Sequence, residues 1–293
     1  MTTTTHTRVV IIESLDARNP KDFKSGSELQ LYLEGLAEDN PHVIPTILHK
    51  VSSEKEFRVV LRELIRLAKE NSDKPILHIE THGYDDTSGI VFSDGSDCLW
   101  SDLRPMLVEL NEATEFNLLV CFASCFGAWS LGMIRPMEPA PCWGLIGPSE
   151  FTDGSELLGG FRAFYRPLLV SQDADAGIQA LVSWPLENGY FLVEIAENWF
   201  YKLIDGYLTK DCTKERLSER AKAIYSQMPN KNVSIEVIEQ IGRERAQVLI
   251  DDYFEKFFMI DRIEKNRERF DDGLQKAKKK ATEFFELQGF LKT

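Results

Sequence analysis

The chain has 293 residues, 43% of them hydrophobic, enough for one large domain or two ordinary ones with a proper core. Its 34 Lys and Arg face 47 Asp and Glu, and the net charge of −13 repels nucleic acid and anionic membrane while favouring basic or neutral macromolecular partners. No apolar run approaches the roughly 20 residues that span a bilayer, and "MTTTTHTRVV" lacks the basic start and apolar stretch of a secretory signal, so the expected location is cytoplasmic. Five cysteines at irregular spacings (Cys98, Cys121, Cys125, Cys142, Cys212) suit reduced thiols better than a disulfide framework.

The first element is "RVVIIES", Arg8 to Ser14, β-branched and apolar as a strand buried on both faces should be. A loop, "LDARNPKDFKSG", leads to a helix around "SELQLYLEGLAED", and "VIPTILHK" reads as the second strand. Ser53 and Glu56 then have capping-box spacing, and Phe57, Val60, Leu61, Leu64 and Leu67 fall on one helical face ending near Asn71. "PILHIET" is the third strand. Within Gly89 to Trp100 a Ser-Asp-Gly-Ser turn separates two short apolar runs, which predicts a hairpin insertion. A helix around "SDLRPMLVELNEA" precedes the fourth strand, Phe116 to Ala123, and "CWGLIGPSEF" gives a fifth. This alternation predicts an α/β fold, a mostly parallel sheet flanked by helices, with sites at the C-terminal strand ends.

After Thr152 the pattern turns helical: two helices broken near Ser171 to Asp173, another over "YFLVEIAENWFYKLIDGYL", then a charged helical stretch from Lys214, broken at "MPNKN" and near Gly273. The division expected is a first domain over 1–210 and an α-helical C-terminal region over 211–293, regulatory or partner-binding; separate subdomain and sheet-packed extension both stay open.

Two strand ends carry the chemistry. "PILHIETHGYDD" runs into the pair His82-Gly83, and "NLLVCFASCFGAW" runs into Cys125. If the third and fourth strands are parallel neighbours, both side chains emerge at one edge. A cysteine nucleophile needs its thiolate and a proton donor for the leaving amine, and one histidine in reach serves both. A helix beginning at about Phe126 would aim amides at Cys125 and favour the thiolate. Gly83 and Gly127 would leave room for a substrate backbone, with the Gly83 amide facing a developing oxyanion.

The His-Gly pair after one apolar strand, with a cysteine after another 43 residues on, resembles the caspase-type cysteine peptidases. Their signature has the histidine about 50 residues upstream of Q-A-C-[RQG]-G; here "FASCFGA" puts Ser124 before the cysteine and Phe126 after it, and keeps the following glycine as Gly127. Closer still is the CHAT branch of this caspase/separase-like clan (clan CD). "ILHIETHG", "LLVCFASC" and "GPSEFTDGSELLGGFRAFYRPLLVSQDADAGIQAL", with the pair Phe164 and Tyr165, carry that resemblance over roughly residues 8 to 185. It implies a caspase-like sheet and a cysteine endopeptidase acting on a protein substrate. Cys125 would be the nucleophile, His82 the general acid and base, and the Gly83 and Cys125 amides the oxyanion donors. Neither metal nor organic cofactor is required. CHAT peptidases are often regulated effectors cutting one partner, some in bacterial antiviral defence, which leaves an activating protein or ligand open. Caspases that cut after aspartate use an arginine in the loop after the first strand, and relatives that cut after basic residues use acidic pocket groups. The loop here holds both Asp16 and Arg18, so cleavage preference stays open.

Two other function classes stand beside this one: a caspase-like binding or scaffold protein without turnover, and a thiol redox sensor using Cys121 and Cys125. Cys121 lies inside an apolar run and reads as a small core residue. "HIETH" is a strand motif of the form H-x-E-x-H, whose two histidines sit too far apart along a strand to chelate as a helical pair does, so no metal site is expected. Residues Lys276 to Lys280, "KAKKK", read as a solvated face, and the aromatic stripes "DDYFEKFFMI" and "ATEFFELQGF" as core.

Overall fold

The computed structural model describes residues 6–15 and 24–289. The chain divides into two compact units, Met1–Ile134 with Ala140–Ile195, and Arg135–Pro139 with Ala196–Thr293.

The first unit is α/β. Strands β1 (Arg8–Glu13), β2 (Thr46–Lys50), β3 (Pro75–Glu80), β7 (Leu119–Ala123), β8 (Gly144–Pro148) and β9 (Phe191–Ile195) form a six-stranded sheet in the order β2-β1-β3-β7-β8-β9. Every pairing is parallel except that of β8 with β9. Continuous runs such as "VVII" and "PILHIE" have no solvent face because helices cover both sides. On one side Val9, Ile11, Ile76, Cys121 and Ala123 pack with helices α1 (Ser25–Asp39) and α4 (Gly154–Val170). On the other side lie α2 (Glu54–Asn71) and α3 (Trp100–Ala113), with Trp100 edge-on to Phe122. Between β3 and α3 the short strands β4 (His82–Gly83), β5 (Gly89–Val91) and β6 (Asp97–Leu99) make a separate antiparallel sheet, the expected hairpin insertion.

Ser53 caps α2 as its sequence predicts, accepting the Glu56 N–H at 3.2 Å. The reciprocal Glu56 carboxylate reaches one residue further back, to the Ser52 N–H at 2.7 Å. The break between α4 and α5 (Ala174–Val182) also falls where expected, with Asp173 capping α5.

Two expectations about helices are corrected. "FLVEI" is not the start of a helix but β9, the antiparallel edge strand, and the helix begins only at Ala196. Its β-branched residues answer to β8, a partner more than forty positions away in the chain. In the second unit, α9 (Asn266–Leu287) runs straight through Gly273, a helix interior glycine costing only about 1 kcal/mol. The interruption lies instead between Phe258 and Lys265, where Met259 has φ 54°.

The second unit is helical: α6 (Ala196–Asp211), α7 (Lys214–Gln227), α8 (Ile235–Phe257) and α9. Its core is the aromatic group Phe200, Tyr253, Phe254, Phe257, Phe258 and Phe270, with Phe258 stacked on Phe270 at 4.3 Å. Lys278 and Lys280 of the basic run pair with Asp251 and Asp205. No described helix is long and apolar enough to cross a membrane.

Candidate functional site

Strands β3 and β7 are parallel neighbours in the register Ile76↔Leu119 to Glu80↔Ala123. The two chains therefore leave the sheet side by side, Thr81 and then His82 beside Ser124 and then Cys125. Leaving β3, the chain forms β4 and pairs with β5, His82 opposite Val91 and Gly83 opposite Ile90. Tyr84 N–H donates to the Gly89 carbonyl at 3.1 Å. Because antiparallel ladders alternate, the Gly83–Ile90 pair is the non-hydrogen-bonded kind, and the Gly83 amide is turned away from β5.

Gly83 is where the two strand ends meet. A Cβ there would lie 1.9 Å from the Cys125 carbonyl oxygen and 2.8 Å from its carbon. The space beside Gly83 is thus filled by Cys125 itself, and is not an opening for a substrate backbone. Gly127 is likewise occupied: a Cβ would come within 2.8 Å of the Phe122 Cβ. His82 is exposed and Cys125 half-buried. The other four cysteines are buried, and burial pushes Cys98 and Cys121 up to about 12.

The helix expected at Phe126 is not an α-helix. Phe126 takes φ 60°, and a single 3-10 helix follows over Gly127–Met133. The tight path exists because Gly127 and Gly147 pass each other closely; a Cβ on Gly147 would be 2.6 Å from the Gly127 carbonyl carbon. Cys125 consequently lacks the α-helix dipole that would have favoured its thiolate. Its Sγ donates to the Thr152 carbonyl at 3.7 Å, and Phe126 N–H to the Glu150 carbonyl at 3.2 Å. Burial pushes the Cys125 thiol above its ordinary range, hydrogen bonds with the Thr152 backbone and its own backbone partly oppose this, and the charges of Asp85 and Asp153 add to it.

Beneath this edge lies a polar network that the sequence reading missed. His78, wholly buried, has Nδ1 3.1 Å from the Tyr165 hydroxyl and Nε2 2.9 Å from Glu80 Oε1. The other Glu80 oxygen accepts the Ser25 hydroxyl at the start of α1. Tyr165 also donates to Cys121 Sγ at 3.7 Å, and burial, then Cys121, drives its phenol well above the ordinary value. Glu13, at the end of β1, accepts the Ser27 N–H and hydroxyl, both at 2.8 Å. Two buried carboxylates therefore fasten the first turn of α1 to the sheet edge. The signal was present in the alternation of His78, Glu80 and His82 along one face, but the partners Ser25 and Tyr165 are remote in sequence. His78 is committed to this network while His82 stands exposed, so "HIETH" does not act as a chelating pair.

Asp16 and Arg18 lie outside the described residues. Phe164 and Tyr165 are both buried on α4, where they pack with the sheet. The site as a whole offers one half-buried thiol, a histidine at the adjoining strand end and a backbone amide turned away from its own hairpin. These are the parts of acyl transfer to sulfur. Comparison with protein-family models finds none that matches the chain, and comparison with curated proteins finds no match either.

Proposed function

We propose that this chain is a cysteine endopeptidase of the CHAT type, cleaving a protein substrate through an acyl-enzyme on Cys125. The observation that carries the reading is the junction of strand ends, with Gly83 packed against Cys125 at the C-terminal edge of β3 and β7. In this scheme Sγ attacks the scissile carbonyl carbon and its proton passes to His82. The tetrahedral oxyanion is met by the Gly83 and Cys125 amides. His82 then protonates the leaving amine, the thioester forms, and water activated by His82 releases the acyl group.

The test is mass spectrometry after treatment with a peptide-based cysteine-directed probe, beside His82→Ala and Cys125→Ala variants. Cys125 labelling that falls when His82 is removed is the expected result. Labelling of Cys125 no faster than the buried thiols, and indifferent to His82, defeats the proposal.

A second reading, a binding or scaffold protein without turnover, is favoured by one observation: the Cys125 thiol is raised rather than lowered. Under it, Cys125→Ala keeps full function. A redox pair of Cys121 and Cys125 is disfavoured by the complete burial of Cys121.

A further inference from the structure

Three large side chains stand exposed around the loop that covers Cys125: Trp129 at 54%, Phe151 at 64% and Tyr190 at 60%. All three are tied to one short segment. The Ser149 carbonyl accepts the Trp129 indole N–H at 3.3 Å, and Ser149 exchanges hydrogen bonds with the Tyr190 backbone at 2.9 and 3.0 Å. Phe151 sits between Glu150, whose carbonyl holds Phe126, and Thr152, whose carbonyl accepts the Cys125 thiol. The segment that carries Phe151 and holds Trp129 and Tyr190 is therefore the same one that holds the candidate nucleophile.

Its border is anionic. Asp85 and Asp86 follow Gly83, Glu150 and Asp153 flank Phe151, and all four are exposed. Among the described residues none of them is ion-paired with Lys or Arg. Hydrogen bonds from Ser88 and Ser155 hold the Asp86 and Asp153 carboxyls below the usual range, so both stay ionised. Exposed aromatics inside an acidic border that no described Lys or Arg pairs with exclude some occupants. A second copy of this chain, at −13, and an anionic membrane are both repelled.

We infer that this surface receives a basic polypeptide segment carrying a large apolar side chain beside its cationic ones, and, resting on the peptidase reading above, that this segment is the substrate. The apolar side chain packs against Phe151 and Trp129, and the cationic ones lie toward Asp85, Glu150 and Asp153. A cation arriving there offsets two of the charges that oppose ionisation of Cys125. Docking and activation of the thiol are then coupled, and the unoccupied protein keeps its nucleophile protonated.

The test uses full-length Cys125→Ala protein and fluorescence anisotropy with three labelled decapeptides: one rich in lysine with a central phenylalanine, the same with glutamate for lysine, and the same with alanine for phenylalanine. The first binds about tenfold tighter than either control. Adding Phe151→Ala removes the preference for phenylalanine, and adding Asp85→Asn with Glu150→Gln removes the preference for lysine. Equal binding of all three peptides, or a preference for the glutamate peptide, overturns the inference. The His82-dependent labelling of wild-type Cys125 is read separately. Flat binding with labelling intact defeats this inference alone, whereas selective binding without labelling supports the docking surface and overturns the assignment of its occupant as substrate.

Discussion

The α-carbon of Gly83 lies against the carbonyl of Cys125, so closely that a methyl group on Gly83 would sit 1.9 Å from that oxygen. The obstacle is backbone rather than a movable side chain, so a larger residue must push the two strand ends apart. Gly83→Ala is expected to cost about 2 kcal/mol of stability and to abolish His82-dependent labelling of Cys125. Urea denaturation and probe labelling on the same preparation check it. Wild-type stability and labelling in the variant would show that the contact is not a constraint.

The reactivity of Cys125 toward iodoacetamide should rise with pH through a midpoint above that of an ordinary thiol, because burial and the carboxylates of Asp85 and Asp153 oppose the thiolate. Asp85→Asn removes one of those charges and moves the midpoint down. Peptide-resolved alkylation rates across pH measure both effects. A midpoint below the free-thiol value sinks this account.

Replacing Glu80 by alanine leaves His78 Nε2 and the Ser25 hydroxyl without their partner in the interior. A loss of about 3 kcal/mol is expected. Tyr165→Phe removes a single neutral hydrogen-bonding hydroxyl and costs about 1 kcal/mol. Gly26→Ala belongs to the same network, since its Cβ would stand 3.0 Å from Glu13 Oε1 and 3.1 Å from Glu80 Cγ, and costs about 1 kcal/mol. Denaturant midpoints rank the three, and Tyr165→Phe emerging as the most damaging contradicts the ordering.

Burial drives the His6 imidazole from 6.5 down to about 4, with help from the charge of Lys74 and partial relief from the Lys74 backbone. A folded-state value below the unfolded one means stability that is present above pH 6.5 and lost as pH falls toward about 4. The loss from this group is at most about 3 kcal/mol. The difference in unfolding free energy between wild type and His6→Leu, followed from pH 7 to pH 4, isolates it. Parallel curves would remove His6 as the cause.

Much of the α/β unit is legible in the chain because its signals are local. β1 carries the β-branched run "VVII" and β3 is an apolar strand interrupted by His78 and Glu80, Ser53 caps α2 with its own hydroxyl, and the turn around Gly95, at φ 88°, divides β5 from β6. The placement of His82 and Cys125 at adjoining strand ends follows from the same periodicity once β3 and β7 are neighbours.

Other features were decided in three dimensions. "FLVEI" runs directly into α6 with apolar spacing that suits a helix, and only the edge of β8 makes it a strand. The path after Cys125 is a 3-10 helix because Gly127 and Gly147 pack backbone to backbone, a contact no window of sequence contains. Glu80 finds its hydroxyl partner 55 residues before it, and His78 finds its tyrosine 87 residues after it. By itself the sequence determined the parallel strands, the helices between them and which strand ends carry a thiol and an imidazole, since backbone preference and side-chain period act between near neighbours. Only the tertiary structure decided the polarity around Cys125 and the burial of Glu80, because desolvation and charge depend on groups brought together from distant parts of the chain.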